Sequence, residues 1–595
     1  MMVPFKEQPK AGSVVWRMIS GATLLLLWIP ISCVSVQKDG SPLLADAGRA
    51  QFAVSDSNEL SSPAGSYLAG RFAEKQLDLL GAANLMARVL SDDPENEALS
   101  RRAFVLFLGA GQYKKAIEIA ERIKLHEKGM TTALLLLAAR DVKAGKFTKA
   151  SELMVNFPTQ GLARYSRQLA GAWILAGTGN FEGAFKLLEP LSQENGFVSL
   201  MNLHMALLKE QAGKFAEADE IYKNAMAKVD ETPLRLLRAR GTFLERRDRK
   251  DEARILYESY LKMNPASYLI GYELRRLQDN RSVRPIADDI VSGFAEAMFN
   301  LASALPVSRA GAAALLYARI ATYLKPDFPV AQLLMGDILD SSGRHEDSIE
   351  IYKLIGKETS YSWLARLKMA ENLNATDRLD EAKDLLEAMA KERPTETDPL
   401  VRLGSFLRSK EDYQGAVDAY NRAFERLGTE GPRDWMLFYY RGISLERLKK
   451  WDVAEQDFLR ALELNPNQPY VLNYLGYSWV DQGVNLNKAR EMIERAVEQR
   501  RDDGFIVDSM GWVLFRLGDY EEAVEYLERA VELRPLDPVI SDHLGDAYWK
   551  VGRKHEARFQ WRRALSLNPE KEEVDRIEVK LNKGLGAASQ KDSDG

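Results

Sequence analysis

The stretch YVLNYLGYSW (residues 470–479), with DSMGWVLFRLGDYEEAVEYLERAVELRP (508–535) and DHLGDAYWKVGRKHEARFQWRRALSLNP (542–569), repeats one residue pattern. Small residues let two antiparallel helices approach closely, a large apolar residue fills the space between them, and proline ends the unit. Such residues follow each glycine at offsets of +12, +16, +19 and +24: Ala523, Leu527, Ala530 and Pro535 after Gly511, and Ala557, Trp561, Ala564 and Pro569 after Gly545. The pattern therefore predicts consecutive helix–turn–helix units.

The same spacing extends over most of the chain. In the C-terminal half, a glycine or alanine recurs with successive spacings of 34, 34, 38, 34, 35 and 34: Gly336, Ala370, Gly404, Gly442, Gly476, Gly511 and Gly545. A weaker N-terminal series keeps spacings of 34, 34, 34, 34 and 35: Gly70, Phe104, Ala138, Ala172, Ala206 and Gly241. An alanine stands at offset +12 from every member of the second series. Chance does not produce two such series, so we expect an array of repeats.

The pattern resembles the tetratricopeptide repeat (TPR), a helix–turn–helix unit of about 34 residues. The resemblance implies an all-α fold, a right-handed TPR superhelix (α-solenoid) of about fourteen units. We expect two blocks, residues 63–265 and 291–569, because the spacing from Gly241 to Ala302 is 61 and not the 68 of two full repeats. Residues 266–290 between them contain YLIGYELRRLQ, one helix by its period, and are interpreted as a degenerate unit or a joint. This interruption predicts that the two blocks fold separately.

The ends of the chain have a different composition. Residues 570–583 are predicted to form a charged amphipathic capping helix over the last unit, and residues 584–595 a disordered tail. Residues 1–33 are interpreted as an export signal, with a positive start and an apolar core too short to span a bilayer comfortably. Residues 34–62, rich in Ser, Asp, Gly and Ala, are interpreted as a flexible tether.

Cys33 directly follows this apolar core and is the single cysteine of the chain. Ser32-Cys33 resembles the lipobox of bacterial lipoproteins, in which the signal is cut before the cysteine and the cysteine receives lipid. Pro30 departs from that pattern, because leucine is usual three residues before the cysteine. Lipidation of Cys33 is the expectation; ordinary signal cleavage and an uncleaved anchor are the alternatives.

Composition excludes several function classes. Lys+Arg 81 against Asp+Glu 86 gives no overall electrostatic attraction to nucleic acid, and one cysteine allows no disulfide framework. His126, His204 and His345 stand alone in separate units. His543 and His555 share one unit without a metal-binding spacing, and we expect these two at solvated polar positions. The glycine-rich stretch 177–183 falls where a unit has its turn, so it predicts no phosphate site. We therefore expect no catalytic site, cofactor, metal or small-molecule substrate.

The resemblance also places a partner-binding groove. In the repeat family the first helix of each unit lines the concave surface, with side chains at −6, −3, +1, +4 and +5 from the anchor glycine directed inward. The partner-binding groove predicted in this way contains Tyr439, Tyr470, Asn473, Tyr477, Phe505, Asp508, Trp512, Asp542, Asp546 and Trp549. These residues do not form the basic clamp with which some relatives bind C-terminal carboxylates. An aromatic and acidic groove suits a segment carrying apolar and basic residues, although some of these aromatics could instead be core between units.

The sequence predicts a non-enzymatic protein-binding scaffold or adaptor. The C-terminal stretches are similar to repeat-rich bacterial lipoproteins, some of which act as adaptors that hold a periplasmic carboxyl-terminal processing protease and its substrates. This resemblance implies an exported protein at the periplasmic face of the bacterial envelope, anchored in the outer membrane through lipid on Cys33, with protein partners in the concave groove. The alternative is a solenoid component of a machine that exports or assembles envelope polysaccharides or outer-membrane proteins.

Overall fold

The computed structural model describes residues 62–123, 130–194, 196–227 and 233–585. Within these ranges the chain forms thirty α-helices and no strand. Contacts divide the chain after Ala382 into two compact units, here called unit 1 and unit 2. The predicted all-α repeat fold is confirmed.

Unit 1 begins with six helix pairs, followed by a single helix and further pairs. Its helices are α1 (Pro63–Lys75), α2 (Leu79–Asp92), α3 (Glu97–Gly109), α4 (Tyr113–Ile123), α5 (Thr131–Lys143), α6 (Phe147–Leu153), α7 (Gly161–Gly177), α8 (Phe181–Leu188), α9 (Val198–Gln211), α10 (Phe215–Ala227), α11 (Leu234–Arg246), α12 (Lys250–Met263), α13 (Tyr268–Gln278), α14 (Ile290–Ser303), α15 (Val307–Leu324), α16 (Pro329–Ser341), α17 (His345–Lys353) and α18 (Ser362–Ala375). Helix α19 (Leu379–Glu392) crosses the division between the units.

Unit 2 continues the pairs and ends on one further helix. Its helices are α20 (Asp398–Ser409), α21 (Tyr413–Arg426), α22 (Trp435–Arg447), α23 (Trp451–Leu464), α24 (Pro469–Gln482), α25 (Leu486–Gln499), α26 (Gly504–Leu517), α27 (Tyr520–Leu533), α28 (Pro538–Lys550), α29 (Lys554–Ser566) and α30 (Lys571–Lys583). In the described part of the chain, fourteen pairs can be drawn with α13 and α30 left single, which is compatible with about fourteen units.

The repeated +16 offset is the contact between the helices of a pair. A Cβ atom added to Gly511 would lie 2.5 Å from the Leu527 side chain, and one added to Gly545 would lie 2.5 Å from Trp561. The other glycine anchors meet a large residue of the second helix in the same way: Tyr257 at Gly241, Tyr352 at Gly336, Tyr420 at Gly404 and Phe458 at Gly442. Any side chain at these glycines would separate the two helices, so the anchor must be small.

The turn inside a pair has one recurring backbone feature. One residue there adopts a positive φ, which glycine tolerates and other residues adopt at a cost. Glycine fills this position in many pairs, for example Gly111 (φ 76°) and Gly518 (φ 95°), whereas Leu77, Glu411 and Lys449 fill it elsewhere with φ of 66°, 63° and 60°. The pair α14–α15 has no positive-φ residue between its helices, and it is also packed differently from the rest of unit 1.

Helices α14 and α15 lie against the first helices of the preceding pairs. Helix α14 packs on α5, α7 and α9, and α15 packs on α3 and α5. A Cβ atom at Gly293 of α14 would lie 2.1 Å from the Trp173 ring of α7, so only glycine permits this approach. Two polar contacts fix α15: Arg319 Nε donates to the Gly109 carbonyl at 3.1 Å, and Lys143 Nζ donates to the Tyr323 carbonyl at 2.5 Å. The predicted break in phase therefore coincides with a helix pair that packs back onto unit 1.

The division after Ala382 differs in place from the predicted joint at residues 266–290, which lies inside unit 1. The predicted separate folding of the two blocks stays a prediction, although the contacts of α14 with α7 argue against it. Cys33, residues 1–33, nearly all of the tether 34–62 and nearly all of the tail 584–595 lie outside the described residues. Among the described helices, none combines the length and the apolar character needed to cross a membrane.

Candidate functional site

A cavity of about 420 Å³ lies within unit 2, on the side formed by first helices of consecutive pairs. We call it the unit 2 cavity. Four first helices, or their N-caps, contribute to it: α22, α24, α26 and α28. Its lining is Glu446, Arg447, Asn473, Tyr474, Tyr477, Ser478, Asp481, Gln482, Phe505, Asp508, Ser509, Asp537, Val539 and Ile540. Four of the ten predicted groove residues, Asn473, Tyr477, Phe505 and Asp508, are therefore brought together in one cavity.

Aromatic side chains form one wall of the unit 2 cavity. Tyr474 donates its hydroxyl hydrogen to Glu446 at 3.0 Å and lies edge-on to Tyr439, with ring centroids 6.0 Å apart. Tyr477 is half-buried in the lining, and burial, together with the nearby Asp508 and Asp481 carboxylates, raises the pKa of its hydroxyl. Phe505 remains 37% exposed, although the Arg534 guanidinium lies 4.6 Å from its ring centroid. The wall thus presents aromatic surface that is only partly covered by the chain itself.

The charge of the lining is acidic. Its carboxylates are Glu446, Asp481, Asp508 and Asp537, against the single guanidinium of Arg447. Asp537 also caps α28 by accepting the Ile540 amide hydrogen at 3.0 Å. Arg447 lies 3.6 Å from Glu446, beyond hydrogen-bonding distance. Asp508 is balanced inside the protein by His543, and the remaining carboxylates, Glu446, Asp481 and Asp537, still outnumber the guanidinium of Arg447.

Asp508 has an internal cationic partner. His543 Nδ1 lies 3.0 Å and 3.1 Å from the two Asp508 oxygens, and both residues are buried. Burial alone would lower the pKa of His543, but the Asp508 carboxylate outweighs it and the pKa is raised. The imidazole also stacks on Trp512, with ring centroids 4.1 Å apart. The expectation that His543 is solvated is wrong, because it is a buried partner of the groove carboxylate.

Asp542 and Asp546 are bound to a helix of the same unit. Lys580 of α30 donates to Asp542 Oδ2 and Asp546 Oδ2, both at 2.7 Å. The two aspartates are only 7% and 3% exposed. Burial and the neighbouring Asp542 raise the pKa of Asp546 to about 6, while Lys580 opposes this. These predicted groove residues therefore hold α30 in place and do not face an open surface.

The remaining predicted groove residues lie around the unit 2 cavity without lining it. Trp512 is sandwiched between His543 and Phe515, whose ring centroid is 5.0 Å away. Trp549 packs on Trp561 at 5.3 Å and on the end of α30 near Gly584. Tyr470 is half-buried beneath the Arg500 guanidinium at 5.4 Å. Tyr439 contacts Tyr440, Phe458 and Tyr474, so it belongs to an aromatic cluster behind the cavity.

Several lining residues were absent from the predicted set. Tyr474, Ser478 and Gln482 follow one another at intervals of four on α24, so they form a second stripe beside that of Asn473 and Tyr477. The offsets carried over from the repeat family include only one stripe. Asp537 was missed because its position is the N-cap of α28, before the helix begins. The helical periodicity of the α24 sequence could have identified the stripe that contains Tyr474.

The equivalent face of unit 1 is closed by the unit's own helices. Trp173 of α7 is fully buried and donates its Nε1 hydrogen to His204 Nδ1 at 3.0 Å. Glu296 of α14 binds Arg235 of α11 through both oxygens, at 2.7 Å and 2.5 Å. Complete burial lowers the pKa of His204 to about 4, which is consistent with a neutral ring that accepts from Trp173. His204 is therefore a buried hydrogen-bond acceptor.

A second cavity of about 280 Å³ lies in unit 1, beside α11 and α13. Its three arginines from these helices have buried carboxylate partners: Arg235 with Glu296, Arg238 with Glu273, and Arg276 with Glu245. The charges facing this cavity are thus largely neutralised inside the protein. Over the described residues, no group of three or more His, Cys, Asp or Glu side chains has an arrangement that could hold a metal ion.

Comparison with known proteins agrees with the repeat spacing. Family models described as "Tetratricopeptide repeat" match residues 203–268, 401–469 and 542–571, and one described as "TPR repeat" matches residues 511–552. A TPR repeat-containing protein of Pseudomonas aeruginosa is 30% identical over 159 residues, or 27% of this chain and 26% of that protein. A BBSome complex member of Bos taurus is 28% identical over 112 residues, or 19% of this chain and 20% of that protein.

Among solved structures, the crystal structure of the APC/C heterotetramer Cut9–Hcn1 covers 88% of this chain and 97% of its own, at 17% identity and a TM-score of 0.36. The chain spans only about a quarter or less of the length of the curated relatives that it matches. The residues matched by the family models all fall on the helix–turn–helix array described above. Tetratricopeptide repeats are therefore shown at residues 203–268, 401–469 and 511–571 of this chain.

Proposed function

We propose that this protein is a non-enzymatic scaffold that binds a segment of a partner polypeptide in the unit 2 cavity. Tetratricopeptide repeats suggest a protein-interaction scaffold. The observation that carries the proposal is a cavity lined by four successive first helices, with a partly exposed aromatic wall formed by Tyr474 and Tyr477 of α24 and Phe505 of α26. Helices in contact lie about 8–10 Å apart, so a chain segment of several residues would be needed to cross them.

Polar groups in the unit 2 cavity suit the backbone of such a segment. Asn473 Oδ1 is buried and has no hydrogen-bond partner among the described residues. An unsatisfied buried acceptor costs free energy, which an incoming backbone N–H would recover. Asn473 is half-buried and belongs to the lining, so its amide can be reached from the cavity. The cavity therefore offers aromatic contact and a hydrogen-bond acceptor at adjacent positions.

The test is capture of partners by the full chain and by a cavity variant. The double variant Tyr477→Ala/Phe505→Ala removes two aromatic faces of the lining, and the matched control Phe559→Ala removes a 63% exposed aromatic of α29 outside the lining. Truncating aromatic anchors at an interface typically weakens binding at least tenfold. We expect partner capture to be lost in the double variant and kept in the control. Equal capture by all three proteins would refute binding in this cavity.

We further propose that the scaffold acts in the bacterial envelope, anchored by lipid on Cys33 and holding a periplasmic protease with its substrates. The support is the sequence alone: an apolar segment directly before a lone cysteine, and the similarity to repeat-rich lipoproteins. Intact mass of the membrane-extracted protein should show lipid on Cys33, and Cys33→Ser should abolish it. An unmodified N-terminus downstream of Cys33 would refute the anchor, and captured material without a protease would refute the adaptor role.

A further inference from the structure

The unit 2 cavity has a subsite whose charge and aromatic surface suggest one kind of guest. Asp481 lies at the end of α24 and is exposed, and within the described residues its carboxylate shows no hydrogen bond or ion pair. Glu446, on α22, accepts the Tyr474 hydroxyl, which leaves further lone pairs of the carboxylate available. Tyr477 belongs to the same lining. The subsite thus combines two carboxylates with aromatic rings.

We propose that this subsite binds a lysine or arginine side chain of the partner segment, between Asp481 and Glu446 and against the rings of Tyr474 and Tyr477. This inference rests on the proposed function, because it names the residue type that the bound segment must carry. A cation near a carboxylate gains a charge-assisted hydrogen bond, and a cation over an aromatic face gains a further attraction. Both interactions favour a cationic guest over a neutral or acidic one.

In α26 and α28, three acidic groups already have a cation from a following first helix or from α30. Asp508 faces His543 from the next pair, and Asp542 and Asp546 share Lys580 of α30. Asp481 shows no such partner in the described part of unit 2, and Arg516 of the next pair donates to the Asp481 backbone carbonyl, at 3.3 Å, and not to its carboxylate. The pattern assigns the missing cation at Asp481 to the bound segment.

The lining also argues against an acidic guest. With Asp508 paired to His543, three carboxylates face one guanidinium there, so an incoming carboxylate would meet net repulsion. The basic positions with which some repeat proteins hold a terminal carboxylate are occupied by Asn473, Tyr477 and Asp508 in these two pairs. The selectivity of this subsite is therefore opposite to that of a carboxylate-binding groove.

The experiment is selection of random dodecapeptides displayed on phage against the immobilised full chain. Three proteins are compared: the wild type, the double variant Glu446→Gln/Asp481→Asn, and the control Asp452→Asn on the second helix α23, away from the lining. All three should give the same helical circular dichroism and melting temperature, because Asp481 is exposed and glutamine keeps the shape of Glu446. We expect the wild type and the control to enrich peptides that contain lysine or arginine between apolar residues.

The strongest wild-type peptide is then synthesised with fluorescein, with its basic residue kept or replaced by norleucine or glutamate. We expect its affinity, measured by anisotropy, to fall at least tenfold in the double variant or with norleucine, and still further with glutamate. Enriched peptides without basic residues, or an affinity unchanged in the double variant, would overturn the cationic subsite and leave the scaffold function standing. If no peptide is enriched over a blank surface, both proposals fail.

Discussion

The two units use the inward face of the same repeat in opposite ways. In unit 1 the face formed by α3, α5, α7 and α9 is covered by α14 and α15, and its aromatic Trp173 is fully buried. In unit 2 the face formed by α22, α24, α26 and α28 keeps a cavity of about 420 Å³, and its aromatic Phe505 remains 37% exposed. The inward side of a repeat array can therefore serve as core or as binding surface, and the choice depends on what the rest of the chain places there.

In unit 1 a glycine allows α14 to cover the inward face. At Gly293 the α14 backbone comes close to the Trp173 ring, and the buried pair of Glu296 with Arg235 follows one turn later. In unit 2 the corresponding element is α30, which is held against the last first helix, α28, by Lys580. A cavity of about 420 Å³ remains beside α24.

The largest expected effect is the loss of Trp173. Trp173→Ala should destabilise unit 1 by about 4 kcal/mol, because it leaves a large void and removes the donor to His204 Nδ1. Denaturant unfolding followed by circular dichroism measures this change. Phe505→Ala in unit 2 is the matched comparison. A loss below about 1 kcal/mol for Trp173→Ala would show that unit 1 does not depend on the covered face.

Removal of Lys580 should have the next largest effect. Lys580→Met leaves two buried carboxylates without their cation and should cost unit 2 about 3 kcal/mol. The control is Lys583→Met, an exposed lysine at the end of the same helix. Hydrogen exchange of α28 and α30, read by mass spectrometry, should increase in the first variant and stay unchanged in the second. Unchanged exchange in Lys580→Met would mean that the ion pairs do not hold α30.

The two buried histidines should give the units opposite responses to pH. The folded pKa of His204, about 4, lies below its unfolded value, so its contribution is present above about pH 6.5 and is lost as pH falls. Unit 1 should lose about 2 kcal/mol between pH 7 and pH 5. The pKa values of His543 and Asp546 are raised, so their contributions are present at low pH and are lost as pH rises through the folded values.

Regional hydrogen exchange at pH 5 and pH 7, corrected for intrinsic rates, separates these responses. Peptides from α7 and α9 should be better protected at pH 7, and peptides from α26 and α28 at pH 5. His204→Gln should remove the response of unit 1, and His543→Gln should reduce that of unit 2, to which Asp546 also contributes. A shift of both units in the same direction would contradict the assignment of the two histidines.

The smallest stability effect is expected at the open cavity. Tyr477→Ala/Phe505→Ala should change the free energy of unfolding by less than Trp173→Ala alone, because both aromatics of unit 2 are only partly covered. Thermal melting measures it. A loss as large as that of Trp173→Ala would make these residues core, and the comparison between the units would fail.

The spacing of small residues predicted the pairing of helices because that contact is local. Gly511 meets Leu527, and Gly545 meets Trp561, at the same +16 offset. The packing of α14 on α7 was not predictable in this way, because α14 has the pattern of an ordinary first helix and Trp173 lies more than a hundred residues earlier. Local periodicity describes a pair, and it does not say where the next pair is placed.

The candidate site shows the same limit. Asn473, Tyr477, Phe505 and Asp508 were predicted from offsets within one helix and do line the cavity. Asp542 and Asp546 have equally suitable offsets, but Lys580, one repeat length beyond Asp546, neutralises them. The interpretation of residues 570–583 as a capping helix considered only its apolar stripe and missed the lysine on its buried side. The sequence did contain a signal for this pairing, namely a lysine one repeat length after an acidic groove position.

The turns between paired helices have a consequence for engineering thermostability. Leu77, Glu411 and Lys449 have a left-handed backbone where other pairs have glycine, and all three side chains are exposed. A residue with a side chain pays about 1 kcal/mol to adopt that conformation, and glycine removes this cost. Glycine also makes the unfolded chain more flexible, which cancels part of the gain in stability. Glycine at these three turns would therefore be a route to a more heat-resistant protein whose cavity and covered face are both left untouched.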